Sequence, residues 1–133
     1  IRHVKRSLEP LKEIGVKVIW HADGNITPIA PHLLGAGADG FQGLQETVDT
    51  KVDVPALREL TTRAGKPPVI VGSVSSVSTM PFGTPDDVRA DVRRCKTLAT
   101  AKGGGWLLNF SSSLGPECPS ENIHAFFEEA TGR

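Results

Sequence analysis

The chain has 133 residues, 38% of them hydrophobic, with 15 basic side chains against 15 acidic ones, which is the size and balance of one modest globular domain. A sequence pI of about 7.1 and the lack of any Lys/Arg-rich run exclude the electrostatic footprint that a nucleic-acid partner requires. No apolar run approaches the roughly 18 residues needed to cross a bilayer, and no signal peptide is read at the start, so no membrane partner is expected.

Cys95 and Cys118 have no metal-motif spacing and are too few for a disulfide framework, so the default setting is reducing and cytoplasmic. The first residue is Ile1 rather than methionine, which points to a processed product or a piece of something longer.

Residues 4–14 place Val4, Leu8 and Leu11 on one helical face, with Pro10 starting or kinking the helix and Gly15 stopping it. "VKVIW" follows as a short buried strand. In "HADGNITP", Thr27 is the expected N-cap of the next helix and Pro28 its first residue, with Gly35 and Gly37 ending it. "ADGFQGLQ" is the second strand. "DVPALRELTTRAG" is a helix capped by Asp53, with Leu57, Leu60 and Ala64 as its buried stripe and Gly65 as its terminator. "PPVIVGSV" is the third strand.

The clearest helix is "TPDDVRADVRRCKTLATAKG". Thr84 is its N-cap, Pro85 its first residue, and Asp86 and Asp87 favour the helix dipole. Val88, Val92, Cys95 and Ala99 make one apolar face, which explains Cys95 as a small buried hydrophobe. "GGGWLLNF" is the fourth strand. A last helix runs over residues 120–130 with Ile123, Phe126 and Phe127 as anchors.

Strands alternating with helices imply a parallel sheet with helical crossovers. Two architectures satisfy this: an open doubly wound sheet, complete at this length, or a piece of a (β/α)8 barrel, which needs about 250 residues. "GAGADG" ends a helix and enters a strand, the wrong order for a phosphate cradle. Each strand runs into polar or glycine-rich sequence at its C-terminal side: "HADGN", "QGLQE", "GSVSSVS" and "NFSSS". That edge carries the active site in parallel α/β folds. Strand alternation would put Ile19, His21 and Asp23 on one face, so the candidate site starts there. Gln42 lies in the second polar tail, and Ser111, Ser112 and Ser113 in the fourth, where a triple serine is usually a solvated turn. His3, His32 and His124 fall on helices, away from the strand ends.

"HADGNITPIAPHLLGAGADG", "PFGTPDDVRADVRRC" and "GGGWLLNFSSSLGPECPSENI", in this order, resemble the second half of the uroporphyrinogen decarboxylase superfamily over nearly the whole chain. The resemblance implies a (β/α)8 TIM barrel of which residues 1–133 supply the C-terminal half, roughly four βα units. It implies two trades: removal of acetate carboxyls from a tetrapyrrole without metal, or methyl transfer between a corrinoid and a thiol with zinc held by His-x-Cys and a late-loop cysteine. His21 matches the family histidine. Asp23 stands where the first zinc cysteine would be, and Ser112 takes the late-loop position held by the decarboxylase histidine or the second zinc cysteine.

The expected site is therefore His21 and Asp23 as catalytic residues, with Asn25, Gln42 and Ser112 binding substrate, and with no metal and no cofactor. Expected partners are a small-molecule substrate, either a tetrapyrrole or a methyl carrier, and the missing N-terminal half-barrel or a second copy of the chain. A non-catalytic half-barrel fragment or binding module is the alternative reading.

Overall fold

The computed structural model describes residues 1–46, 50–101 and 105–133. Helices and strands alternate as α1 (Arg2–Glu13), β1 (Ile19–His21), α2 (Ala30–Ala36), β2 (Gly40–Gln42), α3 (Val54–Glu59), β3 (Val69–Val71), α4 (Thr79–Phe82), α5 (Pro85–Thr100), β4 (Trp106–Leu107) and α6 (Ser120–Thr131). The four strands are parallel and lie side by side in chain order. A sheet that advances one strand at a time in one direction, with a helical crossover at every step, is the wall of a partial (β/α)8 barrel.

The register sorts the strand side chains into two layers. Trp20, Phe41, Ile70 and Trp106 lie abreast, and Phe41 and Ile70 are fully buried beneath the helices. Leu33, Leu34, Val54 and Leu57 of α2 and α3 complete that core, each fully buried aliphatic stabilising by roughly 1.5–3 kcal/mol. On the other layer Ile19, Gly40 and Val69 form one row and His21, Gln42, Val71 and Leu107 the next. This layer is open: Ile19 is 39% exposed and Leu107 60%. Gly40 belongs to it because a Cβ there would lie 2.2 Å from the Val69 carbonyl oxygen and 2.9 Å from the Ile19 side chain.

A second core joins α5 to α6. Val88, Val92 and Cys95 on α5 are fully buried against Ala125 and Phe126, as the 4- and 3-residue spacing predicts. The predicted capping box of α5 is formed on both sides. The Thr84 hydroxyl accepts from Asp87 N–H at 3.2 Å, and the Asp87 carboxylate accepts from Thr84 N–H at 2.8 Å. The Thr84 hydroxyl, which also donates to the Asp87 carboxylate at 2.7 Å, and the Thr84 N–H together hold the Asp87 carboxyl below its usual range.

Several element boundaries differ from the sequence expectation. Helix α1 runs through Pro10, which leaves one carbonyl of the preceding turn without its helical partner. Thr27 does not cap α2. Residues 27–29 form a turn and the helix begins at Ala30 with Ile29 as N-cap, because the Thr27 hydroxyl instead accepts from Asp53 N–H at 3.2 Å. Asp53 does cap α3, accepting from Ala56 N–H at 2.8 Å, but the helix stops at Glu59. Thr62 then closes a separate turn with Lys66, so Ala64 is exposed and Leu60 only half-buried. Phe127 of α6 is 54% exposed and meets Phe126 edge-on. Part of "GGGWLLNF" lies outside the described residues.

Candidate functional site

The C-terminal ends of β1 and β2 bring three polar side chains together. His21 is the last residue of β1 and sits directly beside Gln42, the last residue of β2. Its Nδ1 contacts Gln42 Oε1. Its Nε2 lies 3.5 Å from Asp23 Oδ1, with the His21 and Asp23 side chains about half exposed. Asp23 does not reach this position by strand alternation. The strand stops at His21, and after Ala22 N–H donates to the Gln42 carbonyl at 3.0 Å the chain bends through residues 23 and 24. The bend, rather than the pleat, returns the carboxylate to the histidine.

Gln42 extends the cluster toward the far side of the sheet. Its Nε2 donates to the Ser111 carbonyl in the loop after β4, at 3.2 Å. Ser111 is fully buried, not solvated. Its hydroxyl accepts from Ser76 N–H and lies 3.0 Å from the Ser76 hydroxyl. Ser112 N–H donates to that same Ser76 oxygen at 3.2 Å, which leaves Ser112 half-buried and Ser113 exposed beyond it. Only the last of the three serines behaves as the solvated turn expected from sequence. Asn25 is occupied differently: its Oδ1 accepts from Thr27 N–H at 3.0 Å and stiffens the turn into α2.

Gly43 follows Gln42 with φ +87°, and a Cβ there would lie 2.7 Å from the Ala22 carbonyl oxygen and 2.9 Å from His21 Cε1. Only glycine fits this close approach of backbone to imidazole. Sequence reading missed Gly43, although a glycine directly after a strand and inside a polar tail is the signal that finds it.

A second polar cluster, also missed, rims the same edge one strand further on. Arg94 of α5 lies 2.7 Å from Glu46, in the segment after β2, and 2.8 Å from Asp91. It also donates to the Ser73 carbonyl at 3.3 Å, and the Ser73 hydroxyl donates to Glu46 at 2.8 Å. These residues line a cavity of about 370 Å³ together with Ser75 and Ser78. Burial works against the Arg94 charge, but the Glu46 and Asp91 carboxylates outweigh it and raise its pKa. The arginine is at position 94 of a helix read from sequence for its caps and apolar face, so nothing in its spacing marked it.

The donor set does not suit thiolate zinc. Cys95 is buried between α5 and α6, and burial pushes its thiol pKa up. Cys118 is half-buried beside the Met80 carbonyl, and its thiol is also pushed up, by burial and then by Glu117. Neither is a ready thiolate. His21 and Asp23 offer one nitrogen and one carboxylate, and the described residues hold no group of three or more His, Cys, Asp or Glu placed for a metal. No helix among the described residues is long and apolar enough to cross a membrane.

Comparison with known proteins fits this architecture. The structure superimposes on a methyltransferase from Methanosarcina mazei with a TM-score of 0.66 at 19% sequence identity, covering 98% of this chain and 34% of that one. The chain thus spans about a third of the length of that protein, and the likeness establishes a shared fold. No curated protein matches significantly. The model of the family described as Uroporphyrinogen decarboxylase (URO-D) matches residues 1–132, and the chain belongs to that family.

Proposed function

We propose that this chain is the C-terminal part of a URO-D-type barrel enzyme, and that His21 carries a proton to or from the substrate at the barrel mouth. The supporting observation is the arrangement at the ends of β1 and β2: an exposed imidazole held by Gln42 on one nitrogen and facing the Asp23 carboxylate with the other. Both trades of the superfamily need such a group. Decarboxylation breaks a C–C bond and leaves the electron pair on carbon, which must take up a proton as CO2 departs. Methyl transfer to a thiol needs the thiol proton removed before sulfur attacks the methyl group. A positioned histidine does either near neutral pH and contributes about 10²- to 10⁴-fold in rate.

In this reading Asp23 orients the imidazole or receives an N–H-bearing part of the substrate. Gln42 and Ser112 line the floor, and Asn25 shapes the entrance through its turn. Since the residues do not supply a thiolate zinc site, no step is assigned to that metal. The open layer of Ile19, Val69, Val71 and Leu107 supports the need for a second half-barrel, because an apolar sheet face of this kind is the filled interior of a closed barrel. We therefore assign the covering partner as the N-terminal half of the same protein.

The test is an assay of the full-length protein for CO2 release from a carboxylated tetrapyrrole and for methyl transfer from a methyl-corrinoid to a thiol. One of the two is expected, and His21→Gln should reduce it at least 100-fold. A full-length, folded protein that performs neither reaction, or one whose turnover ignores His21→Gln, would contradict the proposal.

A further inference from the structure

The Gln42 side chain has two chemically different ends, and its neighbours decide which way it points. Its nitrogen donates to the Ser111 carbonyl at 3.2 Å. Turning the amide over would set two oxygens against each other, since a carbonyl oxygen only accepts. That leaves Oε1 for His21 Nδ1, and an acceptor there requires a proton on Nδ1. The Ser111 carbonyl is itself fixed, because Ser111 N–H donates to the Val74 carbonyl at 2.8 Å and its buried hydroxyl takes the Ser76 N–H at 3.0 Å. Gly43 closes the other side, bringing the chain after Gln42 against His21 Cε1 without a side chain between them.

From this we infer that Gln42 is a positioning residue that locks His21 in the Nδ1–H form, so that all proton exchange at this histidine passes through Nε2. It follows that a substrate group received beside Nε2 and Asp23, within reach of both, is a hydrogen-bond donor. In the neutral ring, Nε2 and Asp23 Oδ1 stand 3.5 Å apart and both offer lone pairs to the same space, which an O–H, N–H or S–H group completes. In the protonated ring the charge at Nε2 faces the Asp23 carboxylate at 3.5 Å, and the bond from Nδ1 to Gln42 is unchanged. Gln42 serves both charge states because an amide oxygen accepts without itself titrating. The inference rests on the reading of His21 as the proton carrier, and adds which nitrogen carries the proton and what enforces that choice.

The experiment is nuclear magnetic resonance of the full-length protein with ring-¹⁵N-labelled histidine at alkaline pH, where the shifts and couplings of the two ring nitrogens distinguish the tautomers. The His21 signals are those lost in His21→Gln. A single Nδ1–H form is expected in the wild type. Gln42→Leu, which removes the acceptor oxygen, should lose it to a mixture or to the Nε2–H form. An Nε2–H ring in the wild type, or an unchanged ring in Gln42→Leu, would overturn the lock. Should Gln42→Leu fail to fold, the wild-type spectrum still decides. The readout needs no substrate, so a locked ring in a protein without His21-dependent turnover removes the proposed function alone, and an active protein with an Nε2–H ring removes the lock alone.

Discussion

Two polar clusters rim the C-terminal edge of this sheet, and they spend their hydrogen bonds differently. In the cluster around Arg94, the guanidinium, both carboxylates and the Ser73 hydroxyl satisfy one another, and they tie the segments after β2 and β3 to α5. In the cluster around His21, the imidazole and Asp23 are about half exposed and face each other at 3.5 Å, with no hydrogen bond joining the two. A polar group whose partners all come from the same chain fixes structure. A polar group with bonding capacity turned outward on a rigid strand end is available to a ligand.

The contrast is open to being broken by substitution. Arg94→Met should give the largest loss of stability, about 1–3 kcal/mol in denaturant unfolding. It strands Glu46 and Asp91, yet the arginine is 39% exposed, so the cost stays below that of a fully buried pair. If Arg94→Met left stability unchanged and abolished ligand binding, the roles of the two clusters would be exchanged. Gly43→Ala should cost about 1–2 kcal/mol, since a non-glycine residue at φ +87° is strained. It should also weaken turnover by pushing on His21, an effect visible as a fall in kcat without a matching rise in KM.

The N-terminal edge of the strands supplies a control far from the site. Asp39 precedes β2 and accepts from Lys12 and from Val18 N–H. Burial alone would raise its pKa, but the Lys12 hydrogen bond, the Val18 N–H and the Lys17 charge outweigh burial and lower it. A carboxyl depressed in the folded state stabilises above its unfolded value of about 3.9, and that contribution is lost as pH falls through the lower folded value. Asp39→Asn should therefore cost about 1 kcal/mol at neutral pH, and the difference from wild type should shrink below about pH 4, with turnover per folded molecule unaffected. The smallest effect belongs to Asn25→Ala, about 0.5–1 kcal/mol for the lost bond to Thr27 N–H. A loss of substrate affinity well beyond that would move Asn25 from the turn into the binding surface.

The fold was legible where local signals act alone. The capping box at Thr84 and Asp87 and the apolar spacing of Val88, Val92 and Cys95 are written within one turn or two of helix, and α5 forms as they dictate. Boundaries failed where a distant residue competed for a local group, as when Asp53 N–H took the Thr27 hydroxyl and moved the start of α2. In the candidate site, His21 and Asp23 are two residues apart, so their proximity was readable although the bend that produces it was not. The bond from Gln42 to Ser111 spans 69 residues, and the Arg94 cluster joins Glu46 to α5. No spacing rule reaches across such separations. They exist only once the sheet has assembled in order.

The central claim is that the His21 cluster faces substrate while the rest of the edge holds the fold. The most direct measurement is the paired kcat/KM and thermal midpoint of His21→Ala in the full-length protein. The account predicts a fall in kcat/KM of at least about 100-fold, with stability changed by no more than about 0.5 kcal/mol, as for an exposed side chain. A clear drop in the thermal midpoint, with kcat/KM per folded molecule unchanged, would contradict it.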